Sequence, residues 1–374
     1  MSSVYKRLTA TDIGKTRNNL YESIPIDGQI LYGFYVDGGS SPEPDPENVK
    51  KFSHGMFQDV YDYPYLQSSA NKLFSLTAGL SSDHGLGTIN VQSSKKLNIY
   101  SQLAQTHVGY DENGNILDFD QDGDFSSGGY KIKTPIFLKF SRLLVKDEIR
   151  KETFSMEIDI TAASAAGTDT IVITDTGAND NYRTNSPAGE YGILYGVSST
   201  DTNFEEADNV PVGLIYYQTG LVVLDSNILL TGTGYDGTSN FEPFNNGGDT
   251  VLTHVDEGTG DTISVGFVDY TIDNIADSIR ERISDISFNN TTELNSTVFF
   301  CRVGNTEFNY SSNPTYTSNS KIRVKRVSSD EPKSYITTVG LYSSDNELLA
   351  VAKLSEPLKK DPSIEQILKV RLDY

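Results

Sequence analysis

The residues best placed to do chemistry in this chain are carboxylates. Asp118, Asp120, Asp122 and Asp124 fall at alternate positions of Asp-Phe-Asp-Gln-Asp-Gly-Asp. Alternate carboxylates with a glycine at the sixth position are what the first half of a tight calcium loop requires. The twelfth position, where a bidentate Glu would close the site, is Gly129, and no helix pair flanks the run. The residues therefore favour an acidic surface loop, with a structural cation site on the four aspartates as the alternative. Gly14-Lys15-Thr16 matches the end of a phosphate-binding loop. The glycine that must precede it by five residues is Thr9, and no apolar strand leads in. His54, His84, His107 and His254 stand at no zinc-ligand spacing. Cys301 follows Phe299 and Phe300 and reads as a small buried hydrophobe. There is no Gly-x-Ser-x-Gly nucleophile elbow. A carboxylate pair for glycoside hydrolysis needs a separation of roughly 5–10 Å, which sequence does not supply. The chain reads as non-enzymatic and carries no cofactor motif.

The elements that would position such residues are mostly strands. In 374 residues there are 22 Tyr, 17 Phe, 31 Gly and no Trp, a mixture that suits short strands joined by turns. A single cysteine excludes an internal disulfide framework. A net charge of −21 argues against nucleic acid and anionic membrane surfaces as partners. No run approaches eighteen apolar residues, and the first twenty residues lack the apolar core of a secretory signal, so neither a membrane span nor export is expected.

Ser2 to Asn19 reads as an extended polar arm, Gly28 to Phe34 as a weak strand, and Asp37 to Glu47 as a proline-interrupted loop. Leu97, Tyr100, Ala104 and Val108 predict a helix over Lys95–Val108. Asp111 to Gly129 is turn-rich. Ile136, Leu138 and Phe140 alternate like a strand, and Arg142 to Glu152 suits a short surface helix. Strands are expected at Thr170–Thr174 and Tyr191–Tyr195, and a hairpin at Val212–Tyr217 and Leu221–Leu224 around Gly220. Ile272, Ile275, Ile279, Ile283 and Ile286 predict a second helix over Asp273–Ile286, with Asp273 as its N-cap. Strands follow at Thr297–Val303 and Lys321–Val327, then a hairpin at Tyr335–Tyr342 and Glu347–Leu354. The last strand places Leu368, Val370, Leu372 and Tyr374 on one face and pins the C-terminus.

Between Glu152 and Ile272 there are 19 acidic residues, one arginine and no lysine, a sum of −18. The expected fold is mainly β (α+β), an antiparallel β-sandwich-like core with two notable helices. The charge break predicts that residues 1–155 plus 287–374 form this core, and that 156–286 is an inserted acidic β module ending in the amphipathic helix. The turn-rich stretch Gly232–Gly260 would lie within that module.

Phe52–Asn71 (FSHGMFQDVYDYPYLQSSAN), Asn98–Gln105 (NIYSQLAQ) and Phe140–Ile149 (FSRLLVKDEI) resemble a family of virion structural proteins from tailed phages, most closely those of marine and cyanobacterial hosts. Phe288–Arg302, Glu307–Tyr316, Tyr335–Tyr342 and Glu347–Lys360 resemble the same family. Val339-Gly340-Leu341-Tyr342, followed by a turn and an Ala-Val-Ala strand, is similar to tail-fibre and collar modules. The resemblance implies a non-enzymatic virion component, assembled in the host cytoplasm, with the baseplate or tail-fibre attachment region as its place. Its expected partners are other virion proteins and copies of itself, without nucleic acid or membrane; contact with a host surface is allowed but not required. The alternatives are a neck or collar protein, a capsid decoration protein, or a carbohydrate-binding receptor module.

Overall fold

The computed structural model describes residues 5–31, 47–82, 90–125, 131–159, 170–198, 210–226, 271–280, 283–311, 317–319, 321–322, 327 and 329–374, with four two-residue strand pieces between 232 and 263. The strands are β1 (Ile13–Asp27), β2 (Val49–Lys51), β3 (Gln58–Tyr61), β4 (Lys72–Ala78), β5 (Pro135–Phe140), β6 (Glu148–Ile149), β7 (Ser155–Asp159), β8 (Thr170–Thr174), β9 (Arg183–Ser186), β10 (Gly189–Ser198), β11 (Val210–Tyr216), β12 (Leu221–Asp225), β13 (Ile283–Val303), β14 (Ser334–Tyr342), β15 (Leu348–Lys360) and β16 (Gln366–Asp373). The main helices are α1 (Val91–His107) and α2 (Ile272–Arg280). The fold is mainly β, as the sequence predicts, and its sheet is antiparallel and curled.

Two compact units divide the chain, residues 21–292 and residues 1–20 with 293–374. In the larger unit the sheet runs β13-β7-β8-β10-β11-β12-β5-β4-β3-β2, with β6 on β13 and β9 on β10. Both faces of its middle are covered. Val222 and Leu224 of β12 join a core with Phe74, Phe140, Phe154 and Phe288, while Leu221 and Val223 join another with Tyr100, Phe119, Tyr191 and Tyr216. Successive side chains point to opposite faces, so a strand buried on both reads as a continuous apolar run. The same holds in β5, where Ile136, Leu138 and Phe140 face the first core and Phe137 the second. The alternation expected there marks two buried faces.

These pairings redraw the expected domains. Strands β7 to β12 lie between β13 and β5 and fill both cores, so the described part of 156–286 is the middle of the larger unit instead of an appended module. The charge break follows surface composition, which strand pairing does not require.

Helix α1 begins four residues earlier than expected. Asn90 accepts from the Ser93 amide (2.8 Å), and Ser93 Oγ accepts from the Asn90 amide (2.7 Å), a reciprocal cap. Tyr100, Ala104 and Val108 are buried as predicted; Leu97 is only half-buried, and Ile99 takes its place in the core. Helix α2 ends at Arg280 instead of continuing to Ile286. Ile283 and Ile286 are buried, but on β13, paired with Ile158 and Met156 of β7. Ile286, Phe288 and Asn290 then bury with a period of two, and that pairing overrides the helical spacing of the isoleucines. Asp273 lies in the first turn of α2, and the Asn274 amide donates to Thr271 Oγ1 instead (3.1 Å).

The expected strand at Gly28–Phe34 is a helical turn at Gly28–Leu31, its remainder lying outside the described residues. The region 142–152 holds one turn, Arg142–Val145, followed by β6. The hairpin β11–β12 forms as expected, with Gly220 at φ +63°. The loop Asp37–Glu47 and the stretch 232–260 fall almost wholly outside the described residues.

In the smaller unit β13 pairs with β16 from Ser296↔Asp373 to Val303↔Gln366, and β14 pairs with β15 as a two-stranded ribbon. The Tyr374 amide donates to Asn295 O (2.9 Å), so the C-terminus is held as predicted. Leu368, Val370 and Leu372 turn inward, whereas Tyr374 is exposed. Of the expected strand Lys321–Val327, only Lys321–Ile322 is described as strand.

Candidate functional site

The aspartate loop lies between α1 and β5. Asp120 forms a β-bridge with Lys131, which places its carboxylate in full burial against the Lys131 ammonium. The Asp122 amide donates to Asp120 Oδ1 (3.3 Å), and the Asp124 amide to Asp122 Oδ1 (3.1 Å). Gly123, at φ +69°, lets the chain turn between them; its amide donates to Asp120 O, and its carbonyl accepts from the Tyr191 hydroxyl (2.6 Å).

Oxygens of Asp120, Asp122 and Asp124 lie within 4.8 Å of one another. Asp118 is outside this group and accepts from Ser81 Oγ (2.9 Å). Burial raises the Asp120 pKa; Lys131 opposes the rise and Asp122 adds to it. Three carboxylates could share a cation here, but Lys131 already neutralises the buried one. Calcium at ~1 mM, the range of weak extracellular sites, is therefore expected to leave the thermal midpoint unchanged. A saturable rise in a melting titration would mean that the ion displaces Lys131.

The other sequence candidates are separated. Gly14, Lys15 and Thr16 lie in the extended β1, so their amides do not form a phosphate cradle. His54 stacks on Phe52 (5.2 Å between centroids) and accepts from the Met56 amide. His107 is buried edge-on to Tyr216. His84 lies outside the described residues. Cys301 sits opposite Leu368 on the β13–β16 pair, half-buried, and burial pushes its thiol pKa up, away from reactivity.

Two polar centres have no signal in the sequence. Asp175, fully buried at the end of β8, accepts from the amides of Glu152 (2.8 Å) and Phe154 (3.0 Å) and from the Tyr217 hydroxyl (3.1 Å). Asp277 on α2 meets Gln58 Nε2 (3.1 Å), Arg280 (3.2 Å) and Lys51 (3.2 Å), tying the helix to β2 and β3. An Asp closing an apolar strand before Thr-Gly signals a turn; its partners, some twenty and forty positions away, are set by the fold.

Surface chemistry differs between the units. The smaller unit holds 15 basic and 11 acidic residues, net +4, and the larger holds 15 basic and 40 acidic, net −25. Among the described residues, fourteen of the twenty-two exposed large apolar side chains belong to the smaller unit. No described helix is long and apolar enough to cross a membrane. No family model matches the chain, and neither a curated protein nor a solved structure matches it.

Proposed function

We propose that the protein is a non-enzymatic structural component of a tailed-phage virion, placed in the tail at the baseplate or the fibre-attachment region. The observation that carries this reading is the division of surface chemistry between the units: one is strongly anionic, the other nearly balanced in charge and rich in exposed tyrosine and aliphatic side chains. Tyrosine and exposed aliphatic groups suit protein contacts because they offer large apolar area, and in tyrosine a hydroxyl, at small entropic cost. An anionic surface selects basic neighbours and speeds encounter more than it adds affinity.

The blocks that resemble phage virion proteins support the same reading. Phe52–Asn71 spans β3 and its turns, Asn98–Gln105 lies in α1, and Phe288–Arg302 lies in β13. These are elements that build the sheet and its cores, as a shared scaffold would require. Immunogold labelling of intact particles tests the assignment. Label at the distal end of the tail is expected; label confined to the head surface would overturn it.

A further inference from the structure

Among the described residues the smaller unit shows almost no core of its own. Among its described residues only Val298, Val303, Leu341 and Val370 are buried apolar side chains, each still 7–8% exposed. Ordering a chain costs backbone entropy at every residue, which apolar burial must offset. These four described side chains offset only a small part of that cost.

The missing burial is displayed on its surface. In β15, Leu349 (67% exposed) and Val351 (52%) lie two residues apart on one face of the β14–β15 ribbon, across from Gly340. Ile367 of β16 is 58% exposed and shares its face with Lys369, Arg371 and Asp373. A two-stranded ribbon is marginal in water by itself. Among the described residues β14 and β15 form a ladder only with each other.

We propose that residues 1–20 and 293–374 form the interface of a closed homo-oligomer, in which the exposed faces of the β14–β15 ribbon and of β16 are covered by the same surface of further copies. Three observations choose a second copy as the occupant. Apolar surface must meet apolar surface, and on this chain it is concentrated in the smaller unit itself. Units of net charge −25 repel one another, so copies approach through the +4 units, whose interleaved charges of both signs permit self-pairing. The area is also sufficient. At about 180 Å² per whole side chain, the nine exposed apolar residues between Tyr335 and Tyr374 offer about 900 Å², against about 800 Å² per partner in a standard interface. A closed ring of like surfaces leaves no open edge for further growth. This assembly does not depend on the virion reading and stands or falls separately from it.

Sedimentation velocity and light scattering of the full chain at ~10 µM should give a multiple of 41.1 kDa, as expected for an interface of this size. The double variant Leu349→Asp/Val351→Asp should fall to 41.1 kDa with its far-ultraviolet circular dichroism retained, because both side chains are exposed in the single chain. Leu66→Asp, an exposed site on the larger unit, should leave the oligomer intact. Hydrogen exchange on wild-type protein diluted until it dissociates gives a second reading that needs no variant. The amides of β14 and β15 should lose protection together with the loss of mass. A monomeric wild type, an oligomer indifferent to the double substitution, or ribbon amides that stay protected in the monomer would each overturn the proposal. So would ribbon amides that exchange freely in the wild-type oligomer itself.

Discussion

Asp175→Ala is expected to lower the unfolding free energy of the larger unit by about 4 kcal/mol, because it strands two backbone amides and a hydroxyl inside the protein. The carboxylate accepts from Glu152, Phe154 and Tyr217 at once, and so fixes the entry into β7 against the end of β8 and the β11–β12 hairpin. The neighbourhood is built around it: Lys151 pairs with Glu190 (2.5 Å) and lies over the rings of Tyr182 (4.4 Å) and Tyr217 (5.4 Å). Asp175→Asn keeps one acceptor oxygen and should cost about half as much. Urea unfolding followed by circular dichroism measures both. Burial raises the Asp175 pKa from its ordinary value against the hydrogen bonds that lower it, so the ionised form carries a desolvation cost in the fold. An alanine variant within about 1 kcal/mol of wild type would show that this cost cancels the three bonds.

The second large effect is a loss of stability on mild acidification through His107. Its Nδ1 lies 3.0 Å from the Leu103 carbonyl, which only accepts, and 2.8 Å from Thr106 Oγ1, whose own proton can go to the Gln102 or Leu103 carbonyl, so the geometry favours the proton on Nδ1. Among the described residues Nε2 is buried without a hydrogen-bond partner. Charging the ring would place a second proton on that nitrogen in a buried imidazole whose centroid lies 4.9 Å from that of Tyr216. The pKa falls from 6.5 to about 4: burial is the main cause, the Leu103 bond opposes it and the Lys139 ammonium adds to it.

A folded pKa below the unfolded one means that the unfolded chain binds more protons between the two values. Stability contributed by neutral His107 is therefore complete above about pH 6.5, declines as pH falls toward 4, and is flat below it. The total is about 3 kcal/mol at 1.36 kcal/mol per unit. His107→Phe keeps the ring and removes the titration, so it should abolish this decline and leave stability at pH 7 equal or higher. Asp175 acts with the opposite sign, since its raised pKa favours the fold on acidification. That contribution is common to both proteins, and the difference between wild type and His107→Phe across pH 7 to 4 isolates the histidine. Parallel curves would refute its role.

Local structure was legible in the sequence wherever neighbours along the chain decide it. The hairpin around Gly220 needed only a positive-φ turn between two apolar runs, and the ribbon of β14 and β15 only alternation around Ser343-Ser344-Asp345-Asn346. Helix α1 announced itself by its spacing, although its true start hid in a cap made by Asn90 and Ser93, neither of which belongs to the apolar pattern. The aspartate loop was legible as acidic and turn-forming, but its pairing with Lys131 was not, because a bridge across a turn of unspecified path decides which charge meets which.

Tertiary structure alone decided the rest. Ile283 and Ile286 suit a helix or a strand equally; β7, more than a hundred residues earlier, made them strand. The charge break at Glu152 was real as composition yet marked no domain boundary, because Phe137 pairs with Val223 and Ile136 with Leu224 across it. Asp175 and His107 owe their expected effects to burial, which depends on what the remainder of the chain places over them. Residue order determines turns, caps and periodicities through contacts a few positions apart. Strand order, burial and the pKa of a buried group come from contacts between distant segments, whose closure is driven by apolar area summed over the whole sheet, a quantity that no short stretch of sequence contains.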